Sequence, residues 1–156
     1  MKAKKENIKD IYQIRKRKLP LLQKARFTEQ DKKESLYLIA FQPKKPVGYV
    51  YIKLKGSERH HTCPNIQDLY VKEELRKKGI AKQILQETED FLKKLGYSKI
   101  GLNVETKEKW IKNFYENQGF KIQGNFKKIS WIEKDEKKNI TLKVFYLEKK
   151  LDNFEK

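Results

Sequence analysis

The apolar residues of this chain follow two rhythms. Between residues 79 and 95, Ile80, Ile84, Phe91 and Leu95 recur at intervals that share one helical face, with Leu85 and Leu92 beside them. This spacing predicts a helix over residues 79–95, stopped by Gly96. Ile8, Ile11, Tyr12 and Ile14 repeat in the same way over residues 7–18, and Pro20 ends or redirects that helix, with a second helical segment running to Ala25. Residues 107–118 read as a third helix, stopped by Gly119. Elsewhere the apolar residues cluster in short runs typical of strands: Leu36, Tyr37, Leu38 and Ile39 within residues 35–41, then residues 47–54 after a turn marked by Pro43 and Pro46. Residues 65–71, 99–104, 120–131 and 140–147 are the remaining predicted strands, with a loop at 56–64 and a charged turn at 133–139. The resulting order is mixed α/β, with one parallel crossover from 65–71 to 99–104 through the long helix.

Composition narrows this picture. The 156 residues hold no internal repeat and no Gly/Ser linker, which predicts one domain over residues 1–156. An aromatic content of 12% argues against disorder. No apolar run approaches the roughly 20 residues that span a bilayer. The first ten residues are charged and lack the apolar segment of a secretory signal, and the single Cys63 cannot form an intramolecular disulfide, so a cytoplasmic protein is expected. The net charge of +17 raises nucleic acid as a partner. Arginine, however, occurs only at positions 15, 17, 26, 59 and 76, and the lysines are spread along the whole chain. A phosphate-reading surface favours the arginine fork, so a dedicated nucleic-acid surface is not expected. The charge suits an anionic cofactor or an acidic substrate.

The chemistry concentrates where the strand at 65–71 runs into the long helix. A helix start presents unpaired N–H groups and a partial positive charge, a natural seat for a pyrophosphate. Arg76, Lys77 and Lys78 add charge there, Gly79 and Ala81 let the backbone approach an anion, and no Ser, Thr, Asp or Asn stands ready to cap the helix. Taken alone, this is either an anion seat or an ordinary turn before a helix. It is neither a nucleotide P-loop nor a dinucleotide fingerprint.

Two blocks together carry a resemblance. Asp68-Leu69-Tyr70-Val71 followed by Arg76-x-x-Gly79-x-Ala81 resembles the acyl-CoA-binding motif of the GNAT acetyltransferase superfamily, and Phe114-Tyr115-x-x-x-Gly119-Phe120 resembles its second signature. The resemblance covers residues 35–149 and leaves residues 1–34 as a variable, helical, substrate-side segment. It implies a mostly antiparallel twisted sheet with helices on both faces and two splayed parallel strands, here 65–71 and 99–104. It implies acetyl-CoA as cosubstrate, with its pantetheine against the backbone of Leu69, Tyr70 and Val71 and its phosphates at Arg76, Lys77, Lys78, Gly79, Ile80 and Ala81. The sequence departs from the family pattern at Glu108 and Ile111, where Asn and Ala are common.

The implied reaction is acetyl transfer to a primary amine of a small molecule or protein, by direct attack in a ternary complex. Its alternative is a non-catalytic module that binds nucleic acid or CoA. Tyr115 is the expected general acid, also touching the cofactor, against a plain role as a core aromatic. A backbone N–H near Leu69 or Tyr70 is the expected oxyanion donor. Asp68 is offered as the base, with Glu58, Glu105, Glu108 and water as alternatives and a hydrogen-bonded strand anchor as its plainer role. His60, His61 and Cys63 are too few for zinc, so no metal is expected and they read as exposed loop residues. Trp110 and Trp131 read as core or acceptor-cleft residues. The edge of the strand at 140–147 offers a route to a homodimer.

Overall fold

The computed structural model describes residues 1–56 and 63–152. Two helices, α1 (Ile8–Ile14) and α2 (Pro20–Asp31), precede strands β1 (Ser35–Phe41), β2 (Pro46–Lys53) and β3 (Asn65–Val71). Then follow α3 (Ile80–Lys94), β4 (Lys99–Glu105), α4 (Lys109–Asn117), β5 (Lys121–Ile122), β6 (Lys127–Glu133) and β7 (Lys138–Lys150). The strands form one sheet in the order β1-β2-β3-β4-β7-β5, with β6 also on β7; every pair is antiparallel except β3–β4. This is the mixed, mostly antiparallel α/β architecture expected from the sequence.

Continuous apolar runs at β1 and β2 have a simple cause: both faces of the sheet are covered. Leu36, Val50 and Ile52 face a core shared with Ile80, Ile84, Leu85 and Leu92 of α3 and Tyr115 of α4. Their neighbours Tyr37, Ile39, Tyr49 and Tyr51 face a second core with Ile11 and Ile14 of α1 and Phe27 of α2. One face is therefore aliphatic and the other rich in tyrosine.

Several boundaries differ from the sequence reading, each for a local reason. The helix expected over 7–18 stops at Ile14, because Arg15 is extended, with φ −127° and ψ 115°. Pro20 starts α2 rather than only ending α1, its fixed φ suiting the first helical position. That helix continues past Ala25 to Asp31, where Phe27 is buried and Gln30 bonds to both Ala3 and Tyr37. The strand expected over 120–131 is broken into β5 and β6 by a turn in which Gly124 takes φ +72°. Residues 1–3, which carry no strand pattern, lie along β1 through Ala3 N–H to Tyr37 O at 2.7 Å and Ile39 N–H to Met1 O at 2.8 Å. The strand at 140–147 is open over only part of its length: β7 carries β4 along one side from Val144 onward and β5 and β6 along the other, which leaves the side of residues 138–142 away from β6 without a strand partner among the described residues. Among the described residues, no helix is long and apolar enough to cross a membrane.

Candidate active site

The site begins as a fault in the sheet. The parallel ladder between β3 and β4 contains only Asn65 opposite Gly101 and Ile66 opposite Leu102. Beyond it, β3 stays with β2 through a register shift that leaves Gln67 without a partner, a bulge that bends the strand away from β4. Lys72 N–H donates to Val47 O at 2.8 Å just past the end of β3. By antiparallel alternation, Tyr70 then exchanges its bonds with Tyr49, while the N–H and C=O groups of Leu69 and Val71 point into the opening. Of the three residues expected to offer backbone contacts, Leu69 and Val71 present theirs to the opening and Tyr70 turns its own toward β2.

At the mouth of this opening stands the basic loop. Gly79 is the N-cap residue of α3 at φ +79°, in the left-handed region that favours glycine, and no side chain caps the helix. A Cβ there would meet only open space, so the requirement is conformational rather than steric. Lys77 is also left-handed, at φ 65°. Arg76 is tethered: its Nε donates to Val71 O at 3.1 Å and its guanidinium lies 4.7 Å from the Tyr70 ring centre. Lys77 and Lys78 are exposed and have no acidic partner among the described residues. Ile80 is buried in the core, and Ala81 packs against it from the first turn of α3.

On the tyrosine-rich face, Asp68 is the hub. One of its oxygens, Oδ2, accepts from Tyr49 Oη at 2.9 Å, from Arg26 Nη2 at 3.2 Å and from Arg15 Nη1 at 3.4 Å. Arg26 also reaches Tyr37 Oη at 3.2 Å, which donates to Gln23 Oε1 at 2.8 Å. Tyr51 donates a short hydrogen bond to Glu29. The Arg15 guanidinium lies 4.7 Å from the Tyr70 ring centre. Burial holds the phenols of Tyr37, Tyr49 and Tyr51 above their ordinary range, and the Asp68 charge adds to this at Tyr37 and Tyr49. The early break in α1 is what delivers Arg15 to this cluster. Sequence reasoning singled out Asp68 but missed Arg15, Arg26 and Tyr49; the available signal was the alternation of Tyr49 and Tyr51 along β2.

Tyr115 lies on α4, 7% exposed, with the rings of Phe114 and Phe120 centred 5.1 and 5.3 Å away. Its phenol is raised well above the ordinary tyrosine value, first by burial and then by the negative charge of Asp68. The charge of Asp68, in the first block read from the sequence, thus acts on the phenol of Tyr115 in the second.

Other candidates fall elsewhere. Glu105 ends β4 and pairs with Lys107 at 3.2 Å; alternation with buried Val104 turns it to the tyrosine side. Glu108 is the N-cap residue of α4 and is half-buried. Glu58, His60 and His61 lie outside the described residues. Cys63 is not an exposed loop residue: it is buried with Sγ 3.3 Å from Tyr146 Oη. Trp110 and Trp131 are not core residues. Trp110 stands on the outer side of the first turn of α4, and Trp131 on β6 of a projecting hairpin, and both are exposed. Among the described residues, no group of three or more His, Cys, Asp or Glu is placed to hold a metal.

The β6–β7 turn docks on the start of α2. Asp135 accepts the N–H groups of Leu21 and Leu22 at 2.9 and 3.0 Å, serving as a cap from 113 residues away, and Glu136 pairs with Arg17. The α1–α2 connection therefore sends Arg15 inward to Asp68 and Arg17 outward to the hairpin.

Known proteins share this fold. In structure the chain is similar to the ribosomal-protein-S18-alanine N-acetyltransferase from Escherichia coli, with TM-score 0.73 at 15% identity over 97% of this chain and 92% of that one. The PaiA N-acetyltransferase from Thermoplasma acidophilum, solved with coenzyme A, aligns with TM-score 0.62 at 24% identity over 95% of this chain and 80% of that one. A putative streptothricin acetyltransferase from Bacillus anthracis, solved with acetyl coenzyme A, aligns with TM-score 0.58 at 20% identity over 76% and 64% of the two chains. No curated protein matches the chain in sequence. The model of the acetyltransferase (GNAT) family matches residues 6–120, a span that runs from α1 through the splayed strands and the basic loop to Phe120. A bulged β3, an uncapped α3 and a buried tyrosine on α4 thus lie within a domain of known kind, and the chain belongs to the GNAT family of acetyltransferases.

Proposed function

We propose that this acyltransferase moves the acetyl group of acetyl-CoA to a primary amine of a small-molecule or protein acceptor by direct attack in a ternary complex. The observation that carries the reading is the open edge of β3, with Leu69 and Val71 presenting backbone groups beside an uncapped helix start. Pantetheine amides complement such an edge as a strand would. The α3 N–H groups with Lys77 and Lys78 complement a pyrophosphate. The bound thioester supplies an electrophilic carbonyl and a thiolate leaving group.

On this reading, Leu69 N–H stabilises the developing oxyanion, since its direction into the opening is fixed by the ladder with β2. Tyr115 stays protonated at neutral pH and donates a hydrogen bond to the departing sulfur. A phenol raised in this way does not give up its proton outright. The proton that ends on the thiol is the one the amine loses on acylation, so the balance closes without an external acid. Three donors occupy Asp68 Oδ2, which suits an anchor that fixes Arg15, Arg26 and Tyr49 around the acceptor side. Water, or Glu105 across the opening, then takes the first proton from the ammonium.

An acceptor screen that detects freed CoA thiol tests the reading, paired with thermal melts in millimolar acetyl-CoA. Binding of acetyl-CoA to the folded state raises Tm by mass action. A rise in Tm with thiol release on at least one class of amine is the expected result. Absence of any rise, with salt-sensitive binding to mixed DNA or RNA, would replace it with a nucleic-acid module.

A further inference from the structure

A cavity of about 520 Å³ lies between α4 and the β6–β7 hairpin, lined by Thr106, Lys109, Lys112, Asn113, Phe126, Lys143 and Phe145. None of these belongs to β3, α3 or the basic loop at Arg76. On α4, Lys109 and Lys112 lie on the side turned toward Phe145 of β7, while Ile111 and Tyr115 turn into the core. The cavity is therefore separate from the opening between β3 and β4, and what it does goes beyond the proposed transfer reaction.

Its lining holds three cations and no acid. Lys112 is offset by Glu116 at 3.3 Å, but Lys109 and Lys143 have no acidic partner among the described residues. The Lys143 ammonium lies 5.6 Å from the Phe126 ring centre, and that of Lys112 lies 5.7 Å from Phe145. Phe126 is 50% exposed, an aromatic face left at the rim of a cationic hollow. Cavities of roughly 300–1,000 Å³ suit small molecules. Phosphates answer unpaired ammonium groups, and a base answers an exposed ring by stacking.

We propose that this cavity binds a nucleotide, its phosphates at Lys109, Lys112 and Lys143 and its base against Phe126, at the same time as acetyl-CoA occupies its own site. The shared chemistry is that of a base bearing phosphate, supplied either free or within a single strand.

Calorimetric titration with ADP at low salt, with acetyl-CoA saturating, tests this. Binding is expected to persist in acetyl-CoA and to weaken at least about tenfold when Lys109→Glu and Lys143→Glu are combined, the size expected for reversing two contacting charges. Phe126→Ser, at a half-exposed position outside both buried cores, should weaken it about threefold or more. In both variants the acetyl-CoA melting shift should stay unchanged. A single-stranded oligouridylate that binds more than about tenfold tighter than ADP assigns the source to a strand, and equal affinity assigns it to the free nucleotide. The proposal is overturned if ADP fails to bind, or if saturating acetyl-CoA abolishes its binding. It is equally overturned if the lysine reversals change nothing, or if tripolyphosphate or an oligoglutamate binds as tightly as ADP. Thiol release in the acceptor screen is read separately, so failure here leaves the transfer reaction standing.

Discussion

The Asp68 carboxylate of β3 bears on the Tyr115 phenol of α4: its negative charge adds to burial in holding the phenol in its protonated form. Tyr115→Phe removes the donor and keeps the ring between Phe114 and Phe120. Turnover should fall about 10- to 100-fold, the size of a lost hydrogen bond to the charge developing on sulfur, while the acetyl-CoA melting shift is retained. Steady-state kinetics on an acceptor found by the screen, beside melts with acetyl-CoA, separate the two effects; unchanged kcat would leave Tyr115 as a packing residue.

Asp68→Asn leaves Arg15 and Arg26 facing each other without their carboxylate. Removing one partner of a buried pair costs about 3–5 kcal/mol, but Arg15 is about a third exposed, so a loss of about 2–3 kcal/mol is expected in urea unfolding. The same change removes a charge that raises Tyr115. Its ultraviolet titration should then move down toward the ordinary tyrosine range, and no movement would break the proposed coupling.

Alkaline pH should unfold the protein cooperatively. Tyr37, Tyr49, Tyr51 and Tyr115 all have folded values raised above the ordinary 10.0. Below that value both states hold the proton and stability is full. Above it the unfolded chain ionises first, so stability falls as pH rises, by about 1.4 kcal/mol per unit for each phenol that stays protonated in the fold. Melting temperatures measured from neutral pH to beyond 10 should stay level and then drop; a level curve throughout would contradict the burial of these rings.

Gly79→Ala tests the helix start. The φ of +79° costs a side chain about 1 kcal/mol, though a Cβ would meet no neighbour. A stability loss of that size should come with a smaller acetyl-CoA melting shift, because relief of the strain turns the first N–H groups of α3. A full-sized shift would move the anion seat away from this turn.

Much of this was legible in the chain because one force dominated each segment. Ile80, Ile84 and Leu92 mark α3 by period alone, and the continuous run of Leu36 to Ile39 marks a strand covered on both faces. The pair of blocks around Gly79 and Tyr115 named the family that the match over residues 6–120 bears out. What period does not encode is where polar side chains are needed in the interior. Arg15 breaks a helical pattern to reach Asp68, and nothing in the spacing of Ile8, Ile11 and Ile14 anticipates that. The bulge at Gln67 and the division of β7 between three partners are likewise set by strands distant in sequence. Trp110 and Trp131 misled for the opposite reason: their size suggested burial, but the short α4 and the projecting hairpin give them no core to enter.

The cap that Asp135 places on α2 has an evolutionary consequence. Residues 113 positions apart in the chain are bound to one another's geometry, so the hairpin turn cannot drift in length without uncapping a helix that carries Arg26. A lineage that changed its acceptor by remodelling this turn would have to rewrite the start of α2 in the same step. The two segments should therefore be inherited as a matched set, and grafting the hairpin of another family member here should succeed only when its α2 travels with it.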